Sequence, residues 1–510
     1  MGLTKENTPQ LVLGCPGAGK TTYLLDQVEQ ELAGGVPPDR LGFVTFTRKA
    51  RDEAVGRACA RFGLTPGDLP YFVTLHALGF RQMGLRSEQV LDDDHFLALS
   101  DFLGMTITGK GGATEGQLIQ RGLGDKMLFH YNLSRNCLRS PQEHHSQALE
   151  PFDWWVFERF CRGLEQFKKS WGLFDYTDML SHWIDGGQKP ALDVLFVDEA
   201  QDLSKLQWRA VEKLAEGARR VVVAGDDDQA IFTWAGADVE TFLHLPAQVT
   251  LLDQSYRCPL MVQEIASRLA EMLYDRRPKR WKPRPELGWV DRPVRVADID
   301  MSQGEWLVLA RNAYLLQEAE EAARQAGWLY ERNGNPSLSP GLLRAVLAWE
   351  TLRKGGTISA TMAADVYDQM SAGRGYKRGQ KTLLQKLGKD AEEDIEEFSL
   401  ADLTQHYGLQ VNSIWHDAFD RVALDHRAYI VSALRNREKP SQPRIKLSTI
   451  HQAKGGEADN VVLLTDMSWQ SSQTLRNNPD SETRVFYVGA TRARETLHIV
   501  APHTRLRFDM

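Results

Sequence analysis

The chain of 510 residues is 42% hydrophobic and 25% charged with no low-complexity tract, a balance that excludes a disordered chain and, at this length, predicts three or four compact units. Its five cysteines, Cys15, Cys59, Cys137, Cys161 and Cys258, show no CxxC pairing, and the polar start MGLTKENTPQ fits neither a signal peptide nor a membrane span. No disulfide framework, zinc or iron–sulfur site or membrane anchor is therefore expected, and a cytoplasmic chain is. A net charge of −7 and a pI near 6.0 give no bulk sign of a nucleic-acid partner, so any such role must rest on a local basic surface.

The elements begin β then α. The stretch 11-LVLGCPGAGKTTYLLDQVEQEL-32 predicts a strand, a glycine-rich loop and a helix with Leu24, Leu25, Val28 and Leu32 on its apolar face. A second unit follows, with 41-LGFVTF-46 as strand and 48-RKARDEAVGRACARF-62 as helix. Two such units predict a parallel, doubly wound sheet. Residues 81–187 lose the strand pattern and become helical and aromatic, as in 152-FDWWVFERFCRGLEQFKKSWGLF-174. Strands resume at 192-LDVLFVDEA-200, 220-RVVVAGDDD-228, 306-WLVLARN-312, 444-RIKLSTI-450, 459-DNVVLLTD-466 and 496-TLHIVAP-502. A second helical stretch, 346–439, holds the basic 374-RGYKRGQKTLLQKLGK-389 and the acidic 390-DAEEDIEE-397. The expected organisation is two α/β domains, 1–80 with 188–253 and 254–345 with 440–510, each interrupted by a mostly helical insertion, 81–187 and 346–439.

The stretch 14-GCPGAGKT-21 fits G-x-x-x-x-G-K-[ST] between a strand and a helix, the context in which backbone N–H groups cradle phosphate oxygens. Gly14, Cys15, Pro16, Gly17, Ala18, Gly19, Lys20, Thr21 and Thr22 are the nucleotide-binding candidates; Lys20 can neutralise the outer phosphates and Thr21 can ligate Mg²⁺. The apolar strand 194-VLFV-197 ends in Asp198 and Glu199, one carboxylate to hold Mg²⁺ and one to orient or deprotonate water. The expected cofactors are ATP and Mg²⁺. Three further acids, 226-DDD-228, follow the next strand, where they can form a metal cluster or merely solvate a turn.

In order along the chain, 14-GCPGAGKT-21, 45-TFTRKA-50, 74-TLH-76, 175-DYTDML-180, 198-DEAQD-202, 225-GDDDQAIFTWAGA-237, 254-QSYR-257, 449-TIHQAKGGEAD-459 and 486-FYVGATRAR-494 resemble the motifs of superfamily 1 DNA helicases of the UvrD/Rep/PcrA type. The resemblance runs almost to the C-terminus, with the two insertions matching only loosely. It implies two RecA-like P-loop domains and an ATP-dependent translocase moving 3′ to 5′ on single-stranded DNA and unwinding duplex at single-strand/double-strand junctions. Arg257 and Arg492 would contact the γ-phosphate, Gln229 would bridge that phosphate and the DNA-binding loops, Glu457 would contact the sugar, and Tyr256 would stack on adenine. The resemblance places Phe46, Thr47, Thr74, His76, Phe232, Trp234, Thr449 and His451 along the DNA strand, where aromatic side chains stack on bases without reading sequence. With Mg²⁺ assigned to Thr21 and Asp198, the three acids keep a lesser or structural role.

Several positions depart from the family pattern. The upstream L-N-x-x-Q segment that reads adenine has no counterpart at the right spacing, Gln10 being too close to the loop, and the arginine after G-K-T is Thr22. Ala235 replaces the arginine of W-R-G-A, Leu75 an aromatic, and 454-KGGEA-458 the family's K-G-L-E-F. The basic segment 276-RRPKRWKPR-284 is open between a phosphate-contacting loop and a solvated surface, and 374–389 between duplex contact and a solvated surface. A compact motor is expected. The rival readings are a nucleotide-gated DNA-binding switch, the motor subunit of a helicase–nuclease complex, and an RNA-directed motor.

Overall fold

The computed structural model describes residues 8–45, 48–109, 122–148, 152–390, 397–436, 438 and 443–510; Phe46, Thr47 and most of the acidic stretch 390–397 lie outside them. Among the described residues no helix is long and apolar enough to cross a membrane.

The first sheet joins β1 (Gln10–Gly14), β2 (Leu41–Thr45), β3 (Phe72–Thr74), β4 (Val194–Val197), β5 (Arg220–Gly225) and β6 (Gln248–Leu252) in the order β3-β2-β4-β5-β1-β6. Every pairing is parallel, with Leu11 against both Val223 and Val249. The strands are near-continuous apolar runs because helices cover both faces: Leu11, Val12, Phe43, Val194 and Phe196 have no exposed surface. The second sheet takes β7 (Trp289–Asp291), β8 (Trp306–Ala310), β9 (Tyr330–Arg332), β10 (Asn335–Pro336), β13 (Ile445–Thr449), β14 (Ala458–Leu464) and β15 (Ala493–Val500) in the order β10-β9-β13-β8-β14-β15-β7. It is parallel apart from the antiparallel β9–β10 edge. Strands β7, β9 and β10 were not legible from hydrophobic runs, being short and at the sheet edges. The remaining pair, β11 (Ile358–Ser359) and β12 (Glu397–Phe398), is a small antiparallel ladder among helices. The fold is thus α/β with two parallel-sheet domains of the RecA-like, P-loop kind.

The first insertion builds its core from helices Asp93–Leu103, Leu123–Asn136 and Trp154–Trp171. The last of these places Phe157, Phe160, Leu164 and Phe167 on one stripe at spacings of three and four, all buried with Leu99, Leu103 and Met127. That core runs from Leu91 to Leu173. Helix Tyr176–Gly186, inside the expected 81–187 by position, instead puts Leu180 and Trp183 into the first sheet's cluster with Leu75 and Leu78. In the second half, helix Pro340–Arg353 runs across the expected 345/346 boundary. Its Trp349 shares one continuous cluster with Tyr367, Phe398 and Phe419 of the insertion and Val308, Tyr330 and Leu447 of the second sheet.

The two sheets meet over a further apolar cluster in which Cys15, Ala18 and Ile231 of the first pack with Cys258, Ile450 and Tyr487 of the second. The cleft that holds the candidate site lies along this seam.

Candidate functional site

The phosphate loop leaves β1 at Gly14 and enters helix Lys20–Ala33 through Gly19, which is left-handed at φ 75°. Glycine is required where the two domains touch. A Cβ on Gly17 would stand 2.4 Å from the Cβ of Arg257, and its carbonyl accepts the Tyr256 N–H at 2.9 Å. Ser255 Oγ adds a bond to the Pro16 carbonyl at 2.7 Å. The QSYR segment therefore grips the loop from the other domain. Lys20 is buried with its Nζ 3.4 Å from the Gly14 carbonyl, burial pushes the Cys15 thiol up to about 12, and Thr22 points to solvent.

Strand β4 ends in the two acids. Thr21 Oγ1 donates to Asp198 Oδ2 at 2.7 Å, so hydroxyl and carboxylate converge as a hard-oxygen pair suited to Mg²⁺. Burial, with Glu199 adjacent, raises the Asp198 carboxyl to about 6. Glu199 sits in the left-handed region at φ 52°, a strained conformation for a non-glycine residue. Burial works against its charge, but Lys20 and Lys454 outweigh it and hold the carboxyl below its ordinary range. Gln201 Nε2 donates to Glu199 Oε2 at 2.5 Å while its Oε1 accepts the Asp226 N–H at 3.0 Å. One amide thus ties the β4 acids to the β5 loop.

From the second domain come three cations. Arg492 donates to Gln229 Oε1 at 2.7 Å, and to the carbonyls of Val488 at 3.0 Å and Gly456 at 3.2 Å; burial and the neighbouring Arg257 lower it to about 9. Lys454 donates to Asp202 Oδ2 at 2.5 Å and the Gln229 carbonyl at 2.6 Å, with its Nζ 5.1 Å from the Phe232 ring centre. Arg257 Nε donates to Glu457 Oε2 at 2.5 Å. The two residues read as phosphate and sugar contacts are here each other's partners. Tyr256, 71% exposed, stands at the lip of the cleft.

The residues read as the DNA track separate into two groups. Phe232, Trp234 and His451 form a three-ring cluster across the seam, with centroids 6.1–6.3 Å apart, beside the buried Thr449 at the end of β13. Thr74 and His76 instead line a cavity of about 620 Å³ with Arg48, Arg51 and Tyr176. Thr74 Oγ1 caps the helix Leu75–Gln82, which carries His76 in its first turn, and the His76 ring meets Tyr176 edge-on at 6.2 Å. Burial lowers His76 to about 4, so the ring is neutral at physiological pH. Tyr176, 55% exposed, is held out by its neighbours: Asp175 and Asp178 accept from Lys168 at 2.8 and 2.7 Å, and both are bonded to Arg135. Phe46 and Thr47 lie outside the described residues.

Both open readings of 276–284 fail for its first half, and the metal reading of 226–228 fails with them. Among the described residues no group of three or more His, Cys, Asp or Glu could hold a metal ion. Lys279, with its side chain 1% exposed, reaches Asp226 at 3.0 Å, Asp227 at 2.6 Å and Asp228 at 3.0 Å. Arg276 binds Asp228 through two nitrogens at 2.9 and 2.6 Å, and the Arg277 N–H donates to Asp227 at 2.8 Å. Neither the solvent nor a phosphate has these charges; each segment is the other's counter-ion. Gln10 is likewise committed, to Tyr23, Thr250 and Arg220.

Gln201, Lys454, Tyr176 and Lys279 are residues that the structure brings to the candidate site and to which sequence reading gave no role. The first three stand inside the quoted motifs DEAQD, QAKGGEAD and DYTDML, and only contacts from other segments distinguish them.

Comparison with known proteins gives a match to the UvrD/REP helicase N-terminal domain over residues 2–250 and to the UvrD-like helicase C-terminal domain over residues 394–504. The ATP-dependent DNA helicase PcrA of Bacillus subtilis (strain 168) is 25% identical over 292 residues, 53% of this chain and 38% of that protein. The ATP-dependent DNA helicase Rep of Escherichia coli (strain K12) is 28% identical over 278 residues, 49% of this chain and 39% of that protein. The chain thus aligns with about two fifths of the length of these relatives.

Proposed function

We infer the function from one premise: the chain belongs to the UvrD/Rep/PcrA type of superfamily 1 helicases. It is an ATP-dependent single-stranded DNA translocase and DNA helicase, moving 3′ to 5′ and engaging single-strand/double-strand junctions. The observation that carries this reading is the short path from fuel to track: Gln229, bonded across the cleft by Arg492 and Lys454, is three residues from Phe232 and five from Trp234.

The chemistry follows from the residues. Lys20 and the backbone of 14–21 bind the phosphates, and Thr21 and Asp198 would hold Mg²⁺. When bound, that ion neutralises charge on the outer phosphates. Glu199, held ionised by Lys20 and Lys454, accepts a proton from the attacking water. Arg257 and Arg492, from the opposite domain, face the charge that develops on the transferred phosphoryl. Tyr256 offers its exposed ring to the base. Because the arginines and Lys454 belong to one domain and the loop to the other, nucleotide favours the closed cleft, and hydrolysis removes that preference. Each closure shifts Phe232 and Trp234 against His451 and Thr449, the groups proposed to hold the strand.

The test is Mg²⁺-dependent ATP hydrolysis with and without single-stranded DNA, together with unwinding of 3′- and 5′-tailed duplexes. Lys20→Ala and Arg492→Ala should each lower kcat by at least about 10²-fold, the scale of a lost phosphate-facing cation. Turnover without stimulation by DNA, or unchanged in Arg492→Ala, overturns the reading. Nucleotide-dependent DNA affinity without turnover would make the chain a switch instead.

A further inference from the structure

Two features of the sequence have no part in the mechanism above: the acids 226-DDD-228 and the basic segment beginning at Arg276. Gln229 connects them to it. Its Nε2 donates to Asp226 Oδ2 at 2.7 Å and its Oε1 accepts from Arg492 Nη2 at 2.7 Å. A carboxylate only accepts and a guanidinium only donates, so one of the two amide orientations satisfies both partners and the flipped one satisfies neither. Asp226 is wholly buried; its second oxygen meets Lys279 at 3.0 Å and the Asp228 N–H at 3.2 Å.

We propose that Asp226 and, through it, Lys279 are positioning residues for the Gln229 amide, fixing which of its two ends faces Arg492 and the nucleotide. The proposal rests on the ATPase reading above. Its physical basis is the charge count around Asp226. Three adjacent buried carboxylates repel one another, and without a cation one of them takes up a proton. Burial opposes the charge on Asp226, and Lys279, foremost among its neighbours, outweighs that and keeps the carboxyl below the ordinary range. Losing the ammonium removes the foremost counter-charge of Asp226 and the contact that pins its second oxygen, so Asp226 is no longer held as a fixed acceptor and the amide loses its reason to face one way. Arg276 does not replace it, since both its bonds go to Asp228. Lys279 belongs to the second domain, as Arg492 does, so that domain orients one amide of the first from both ends.

A double-mutant cycle on ATP turnover separates positioning from mere stabilisation. Steady-state kcat and KM for ATP, at saturating single-stranded DNA, are measured for the wild type, Lys279→Met, Gln229→Ala and the double variant. Lys279→Met is expected to lower kcat about tenfold or more, the scale of a misplaced catalytic group, with KM within about twofold. In the Gln229→Ala background the same change should cost less than about twofold, because the group it positions is already gone. Equal fold-losses in both backgrounds, or an unchanged kcat in Lys279→Met, overturn the proposal. If thermal melting shows that Lys279→Met does not fold, Asp226→Asn, which keeps the size and removes the charge, carries the same cycle with the same two outcomes. A wild type that does not hydrolyse ATP overturns the functional reading first, and this one with it.

Discussion

The first insertion closes a core of its own, from Leu91 to Leu173, whereas the aromatic residues of the second, Trp349, Tyr367 and Phe419, belong to the same cluster as Val308 and Leu447 of the sheet that carries them. The attachments differ in kind as well. The first insertion is joined to its host at the aspartates beside Tyr176, where Lys168 and Arg135 meet Asp175 and Asp178. The second is joined by apolar contact along helix Pro340–Arg353 and by Tyr429, whose hydroxyl donates to the Trp328 carbonyl at 2.8 Å. A body with its own core and a polar joint can shift or melt by itself; one that shares its host's core cannot.

The largest effects come from cutting one large side chain from each core. Trp349→Ala and Phe160→Ala remove fully buried rings and should each cost roughly 3–5 kcal/mol. The Trp349 change also strands the Ser413 carbonyl that its Nε1 reaches at 3.0 Å. Calorimetry should show Trp349→Ala lowering the transition of the whole second domain and, with it, the temperature at which ATP turnover is lost. Phe160→Ala should instead move a separate, smaller transition and leave that temperature unchanged. Loss of turnover in step with melting of the Phe160→Ala insertion would erase the contrast.

A smaller effect tests the polar joint. Lys168→Met leaves Asp175 and Asp178 with Arg135 alone and should cost about 3 kcal/mol, the low end for a broken buried ion pair because one cation stays. Tyr176 lines the cavity shared with Thr74 and His76 of the proposed DNA track; taking its exposed ring to stack one base, its displacement should weaken single-stranded DNA binding by about tenfold. Affinity for a fluorescent ATP analogue should not change, since among the described residues the joint's ion pairs run between Lys168, Arg135, Asp175 and Asp178 and involve none of 14–22. A matching loss of nucleotide affinity would mean that the insertion and the cleft move together.

The contrast between the insertions shows what could be read from the sequence. The phosphate loop, the β4 acids and the DDDQ, QSYR and ATRAR segments were legible because each is a short run whose spacing is set by one turn or one strand end. The alternation of strands and helices gave the two α/β units for the same local reason. Allegiance was not legible. Nothing in the periodicity of 176–186 says that Trp183 packs under the first sheet, or that Trp349 continues the second sheet's core. The run 276-RRPK-279 looks basic and exposed because its counter-ions lie 48 to 53 positions earlier, and a buried ion cluster carries no local signature. Gln201 and Lys454 stood in quoted motifs without a role for that reason: their partners are on other elements.

The smallest expected effect, over the range pH 7 to 5.5, is a pH dependence that the first insertion carries through a pair of histidines. His130 Nδ1 and His144 Nε2 lie 3.0 Å apart inside it, both rings buried, with Phe152 stacked on His130 at 4.2 Å. Burial, then His144 and Lys126, push His130 down to about 3; burial, then Arg139 and His145, lower His144. Two imidazoles sharing one hydrogen bond are neutral when folded and titrate normally when unfolded. Above pH 6.5 neither state binds the proton and stability is unaffected. Below it the unfolded insertion takes up protons that the folded one refuses, so stability falls by about 1.4 kcal/mol per pH unit for each ring that stays neutral, until the pH reaches the folded value. The small calorimetric transition should therefore move to lower temperature between pH 7 and 5.5, and His144→Phe, which keeps a ring against Phe157 without a titrating nitrogen, should reduce that slope. An unchanged slope in His144→Phe would place the acid sensitivity elsewhere and leave the His pair a packing contact alone.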